Sequence, residues 1–173
     1  MARTLFDDVV HTSYGQYDLV WTPEGGFDGD ADAFFAGQVN GLVGASSPHG
    51  VYAHLARWGG GSAVRVELID AEPPLDEAWE DVVEVSTVVP EGASPAWSSW
   101  AGESGGPLDL PPGTYRLRSS ARGRDAGAAD ELADDVVDHY LLELWPAPAA
   151  PDAVLRTTSD NAASFHREWG GRR

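Results

Sequence analysis

Ser104 sits in Gly102-Glu103-Ser104-Gly105-Gly106-Pro107-Leu108, surroundings that suit an acyl-transfer nucleophile. Flanking glycines let backbone N–H groups face an oxyanion, and the serine then needs a histidine to take its proton. The five histidines are His11, His49, His54, His139 and His166. His11 lies in Val-Val-His-Thr-Ser and His54 in Tyr-Ala-His-Leu-Ala, and neither context marks a general base.

Gly102–Pro107 differs by one acid from the Gly-Asp-Ser-Gly-Gly-Pro box of chymotrypsin-like serine proteases, but the rest of that pattern is missing. No histidine has the Ala-Ala-His-Cys context, and 173 residues are too few for two full barrels. A glycine-rich turn between strands accounts for the box, and the chain reads as a non-enzyme.

Metal and cofactor chemistry find no foothold either. Cysteine is absent, which removes disulfides, thiolate ligands and thiol nucleophiles together. The histidines form no close pair backed by acids at ligand spacing, so neither metal nor cofactor is expected.

Carboxylates dominate instead. There are 28 acids against 11 bases, all of them arginine, for a formal charge of −17. Such a chain cannot grip phosphates, which rules out nucleic-acid binding and leaves a basic protein partner or mere solubility. Asp70–Glu84 carries seven acids and Asp125–Asp138 six, with no base in either. Neither run has the spacing of a calcium loop, and nothing singles out two carboxylates as a glycosidase pair. Two readings stay open: solvated loops, or patches that dock on a cationic partner. On the second, the contact residues are Asp76, Glu77, Glu80 and Asp81 in one run, and Asp130, Glu131, Asp134 and Asp135 in the other.

Arg116, Arg118, Arg122 and Arg124 form the basic stretch. Arg116 and Arg118 share a strand face, where pairing with nearby acids is the expected role. Trp97, Trp100 and Trp145 could offer a ligand surface, though aromatics on strands usually fill cores.

The elements that carry these residues are mostly strands. A first strand is predicted over Val9–Trp21, then a turn at Pro23–Gly29. Asp30 can cap a short helix reaching Val39, with Phe35, Val39 and Leu42 on one face. Val51–Trp58 and Ala63–Asp70 flank Gly59-Gly60-Gly61 as a hairpin. Asp81–Val89 is a strand, with Ala96–Ala101 pairing back onto it. Leu108–Gly113 turns into a strand at Tyr115–Ser120. His139–Trp145 is apolar on both faces, which places it centrally. Ser159 or Asp160 caps a terminal helix over 159–169. The expected fold is a single mostly-β domain over residues 1–173, an antiparallel β-sandwich of about 7–8 strands with one or two short helices. No apolar run approaches the ~20 residues of a membrane span, and no secretory signal opens the chain, so a cytoplasmic location is expected.

Three segments carry a family resemblance, in order. Ser13-Tyr14-Gly15-Gln16-Tyr17-Asp18-Leu19 resembles the Ser-Tyr-x-Gln-Phe opening of the competence protein J (ComJ) family, and an Asp-rich helix follows in both. Leu108-Asp109-Leu110-Pro111-Pro112-Gly113-Thr114-Tyr115-Arg116-Leu117 is similar to that family's Phe-Asp-Leu-Pro-x-Gly-x-Tyr-x-Leu. Asp138-His139-Tyr140-Leu141-Leu142-Glu143-Leu144 resembles its Asp-x-Tyr-Ile-Ile strand. The resemblance implies a nuclease inhibitor, since ComJ restrains the DNA-entry nuclease of competent cells. It departs at a longer excursion over Arg122–Asp138 and at the tail Pro146–Arg173, and it carries over no site residue.

Two functional readings follow. One is an acidic, non-enzymatic binding protein of nuclease-inhibitor or immunity type, acting on a basic protein. The other is a β-sandwich that binds a small molecule or serves in regulation.

Overall fold

Side-chain alternation builds two sheets around one apolar layer. The computed structural model describes residues 1–130 and 134–172. In chain order the elements are β1 (Arg3–His11), β2 (Gln16–Val20), α1 (Ala31–Phe35), β3 (Val43–Gly44), β4 (Gly50–His54) and β5 (Gly61–Leu68). Then come β6 (Asp81–Val89), β7 (Ala96–Ser99), β8 (Gly105–Pro107), β9 (Gly113–Arg122), α2 (Arg124–Ala129), β10 (His139–Pro146), β11 (Ala153–Arg156) and α3 (Asp160–Trp169). One sheet has the order β1-β5-β10-β9-β6-β11 and the other β3-β4-β2-β7-β8.

Val64, Val66, Val83, Val85, Leu117, Leu142 and Leu144 of the first sheet share a buried cluster with Tyr17, Leu19, Val51 and Ala53 of the second. Trp21 Nε1 donates to Thr87 Oγ1 at 3.0 Å across the layer. No helix among the described residues is long and apolar enough to cross a membrane.

The mostly-β expectation holds, with eleven strands among the described residues instead of seven or eight. β3, β8 and β11 are two to four residues long, too short for alternation to announce them. β10 lies between β5 and β9, as its two apolar faces predict. It pairs with β5 in parallel, so the larger sheet is mixed. α3 begins where expected, with Ser159 accepting from Ala162 N at 3.0 Å.

Four local expectations are corrected. Val9–Trp21 is two strands in different sheets, because Tyr14 (φ 58) and Gly15 (φ 62) turn the chain between them. A side chain at Gly15 would put its Cβ 2.3 Å from Leu55 O, so glycine is required there. The Gly59–Gly61 segment makes no hairpin: β4 pairs with β2 and β3, and β5 crosses to pair with β1 and β10. β7 pairs with β2 and not β6. The helix capped by Asp30 stops at Phe35 instead of Val39. Beyond it tertiary partners take the backbone: Asp152 accepts from Val39 N at 2.9 Å and Asn40 N at 2.8 Å, and Gln38 Nε2 donates to Val43 O at 2.7 Å. Val39 is consequently exposed.

Candidate functional site

The structure divides the acidic runs into framework and surface. Asp81 is fully buried: Oδ1 accepts from Thr158 N at 2.9 Å and Ser159 N at 3.1 Å, and Ser159 Oγ donates to Oδ2 at 2.6 Å. Asp125 accepts from Asp160 N and Asn161 N. One carboxylate from each run thus seats the N-terminus of α3, where free N–H groups and the helix dipole favour negative charge. Asp138 is buried and accepts from Ser62 Oγ and Tyr140 OH, both at 2.8 Å. Asp81 therefore offers no surface to a partner, a correction to its placement among the contact residues.

Asp76, Glu77, Glu80, Asp130, Asp134 and Asp135 are exposed. Glu131, the remaining sequence-predicted contact, lies outside the described residues. Glu80 Oε2 accepts from Gly123 N at 2.9 Å, which ties the end of the first run to the entry of the second.

Arg116, Arg118 and Arg124 of the arginine stretch are internal, and Arg122 is exposed, its guanidinium over Trp79. Arg118 donates from Nε to Glu84 Oε1 at 2.8 Å and from Nη1 to Pro73 O at 2.6 Å, with its guanidinium over Trp145. Arg116 Nε donates to Glu84 Oε2 at 3.2 Å. The shared strand face thus closes a buried ion pair, as expected from the pattern. The serine box forms the β7–β8 hairpin: Ser99 N donates to Ser104 O and Ser104 N to Ser99 Oγ, both at 2.9 Å. Trp97 packs on Phe6 and Tyr17, and Trp145 is buried, so both are core.

The outer face of the smaller sheet carries a second set of groups. Register places Gln16 opposite His54 and Asp18 opposite Tyr52, with Tyr17, Leu19, Val51 and Ala53 turned inward. Phe34 and Phe35 from α1, Phe27 from the preceding loop and Trp169 from α3 cover Tyr52. Phe27 stacks on Tyr52 at 3.9 Å, and His54 lies 4.4 Å from Phe165 and 4.3 Å from Trp169.

Gln16 Nε2 donates to Asp18 Oδ2 at 2.6 Å and Phe27 N to Oδ1 at 3.3 Å. Burial pushes the Asp18 carboxyl up to about 6, against the opposing pull of those two hydrogen bonds. His54 Nδ1 and Tyr52 OH are 2.8 Å apart, and Nε2 has no hydrogen-bond partner among the described residues. Burial, and then the Arg124 guanidinium, hold His54 well below the ordinary imidazole range, so it is neutral. Arg124 Nη1 donates to His54 O at 2.8 Å and Nε to Asn161 Oδ1 at 2.9 Å.

Above this floor opens a cleft of about 710 Å³. Its rim holds Tyr14, Trp58 and Trp100, with ring centroids 4.5 Å apart for Tyr14–Trp58 and 5.0 Å for Tyr14–Trp100. Of the tryptophans weighed from sequence, Trp100 alone reaches this surface. The alternating Tyr52 and His54, and Phe165 with Trp169 at i, i+4, were the available signals for the rest. The aromatic rim draws on three separate loops, which spacing does not connect.

No family model and no curated protein matches the chain. Solved structures do. ComJ from Bacillus subtilis, described as an inhibitor of the DNA-degrading activity of NucA, superposes with a TM-score of 0.57 at 18% identity, over 85% of this chain and 99% of that one. The fold is ComJ-like. Crocagin biosynthetic gene J matches with a TM-score of 0.52 at 16% identity, over 86% of this chain and 99% of its own. At these identities the likeness concerns the fold. It agrees with the sequence resemblance, and Tyr115 gives one motif a structural reason. Its phenol donates to Pro111 O at 2.8 Å and closes the Leu-Pro-x-Gly-x-Tyr turn into β9.

Proposed function

We propose that the chain is a single-domain, non-catalytic binding protein that docks on a basic protein partner, and that this partner is a nuclease. The observation that supports this most is the fold shared with a nuclease inhibitor over 85% of the chain. The charge of −17 suits it, as do the exposed carboxylates Asp76, Glu77, Glu80, Asp130, Asp134 and Asp135. A cleft evolved for phosphates presents a positive field, which an acidic surface can occupy without being cut.

The test is capture of partners from the source cell, followed by DNA cleavage with increasing amounts of this protein. The proposal expects a captured nuclease whose activity falls to zero at a fixed stoichiometry. Undiminished cleavage with the complex formed would remove the inhibitor reading.

The cleft supports a second reading, because about 710 Å³ lies within the range of small-molecule sites. On that reading the chain serves a small ligand and has no nuclease partner.

A further inference from the structure

We infer that the aromatic cleft receives a cationic side chain, an arginine or lysine carried on the surface of the basic partner. The inference rests on the docking proposal and places its contact on the smaller sheet, at a cleft that Ala128 of the second acidic run also lines.

Tyr14 and Trp58 are 48% and 55% exposed, unusual for large aromatic side chains, and no described element covers them. With Trp100 they form a contiguous shelf at the cleft mouth. The backbone holds that shelf at a cost. Tyr14 (φ 58) and Ala101, beside Trp100 (φ 53 at Ala101), are the non-glycine residues in the left-handed region among those described. Strain of this kind persists where the surroundings over-determine it, and it clusters at ligand-binding surfaces.

The chemistry of the rim selects the occupant. Aromatic faces attract cations through the ring quadrupole, most strongly at tryptophan. Asp28 and Glu168 also line the cleft and add exposed negative charge. The nearby cations do not oppose this, because their charges are directed into the protein. Arg57 donates to Gly61 O and Asp135 O, both at 2.9 Å, and Arg124 is buried against His54 O and Asn161. His54 at the floor is neutral. An aromatic shelf with carboxylates and, among the described lining residues, no outward-facing cation complements a guanidinium or ammonium group, and exposed tyrosine and tryptophan are frequent anchors of protein interfaces.

The probe is a capped hexapeptide of alternating arginine and glycine, titrated into the full chain at physiological salt. Tryptophan fluorescence and the indole N–H resonances are read together. Saturable binding that moves the Trp58 and Trp100 indoles is expected, with affinity at least ~10-fold weaker when citrulline replaces arginine. Trp58→Leu, at a half-exposed position that leaves the fold intact, should weaken the arginine peptide ~10-fold, while Trp58→Tyr stays within ~3-fold. The triple variant Asp76→Asn, Glu77→Gln, Glu80→Gln should leave both indole shifts in place. Equal binding of the citrulline peptide, or loss of the indole shifts in that triple variant, would overturn the inference. So would tetramethylammonium binding more tightly than the peptide, since the cleft would then be a small-molecule site. No nuclease enters this titration, so its failure leaves the docking proposal standing and is told apart from a failure of that proposal.

Discussion

Tyr52 OH and His54 Nδ1 meet at 2.8 Å on the outer face of β4, two residues apart on one strand and roofed by Phe35 and Trp169. The pair is buried, and the imidazole is held neutral by that burial and by Arg124. The His54 ring resonances should therefore stay those of a neutral imidazole as pH falls through the ordinary histidine range. The stability consequence has a definite sign. A histidine with a lowered folded pKa leaves the unfolded chain binding more protons below ~6.5, so its contribution is lost as pH falls. A normal His54 titration curve would show that the aromatic roof is open.

Asp18 has the opposite sign. Its folded pKa, about 6, lies above the ordinary 3.8, so the folded state binds the proton more tightly between those values. Its contribution is full below about pH 4 and lost as pH rises through 6. Asp18→Asn keeps an acceptor for Phe27 N and removes the buried charge. Denaturant titration should find the variant more stable at pH 8, by on the order of 2–3 kcal/mol, with the gap closing by pH 4. A gap independent of pH would show that Asp18 is not the titrating group.

Asp81 and Asp76 lie in one acidic run and should behave differently. Asp81→Ala strands the N–H groups of Thr158 and Ser159, with a loss of about 2–4 kcal/mol. Asp76→Asn is an exposed change and should stay within about 0.5 kcal/mol. Equal melting temperatures for the two variants would contradict the division into framework and surface.

Leu142 of β10 is 2% exposed, between β5 and β9. Leu142→Asp buries an unpaired carboxylate and should abolish soluble expression, while Leu142→Ala should cost about 2–5 kcal/mol. Normal yield and melting temperature for Leu142→Asp would mean that the strand is not central.

β6, β9, β10 and α3 were legible because apolar alternation, or a capping serine before an amphipathic run, states them locally. What escaped was non-local. Nothing near Ala96 says that it pairs with Val20 instead of β6, and nothing near Val39 reveals that Asp152 will take its N–H. The site divides the same way. Arg118 opposite acids on a strand face was readable as an ion pair. The shelf of Tyr14, Trp58 and Trp100 was not, because it exists only after the β1–β2 connection, the β4–β5 crossover and the β7–β8 loop converge. Asp81 misled because a carboxylate seating a helix and one facing solvent look identical in a charge count.

The most direct test of the docking account is the association rate of this protein with its captured nuclease, measured by stopped flow as salt rises. Long-range charge steers encounter more than it holds the complex, and added salt shortens its reach from ~10 Å at 0.1 M toward 3 Å at 1 M. The account predicts a steep fall in association rate between roughly 50 and 300 mM salt, with dissociation little changed. Neutralising Asp76, Glu77 and Glu80 should slow association several-fold at low salt and flatten the salt dependence. An association rate indifferent to both salt and these substitutions would contradict it.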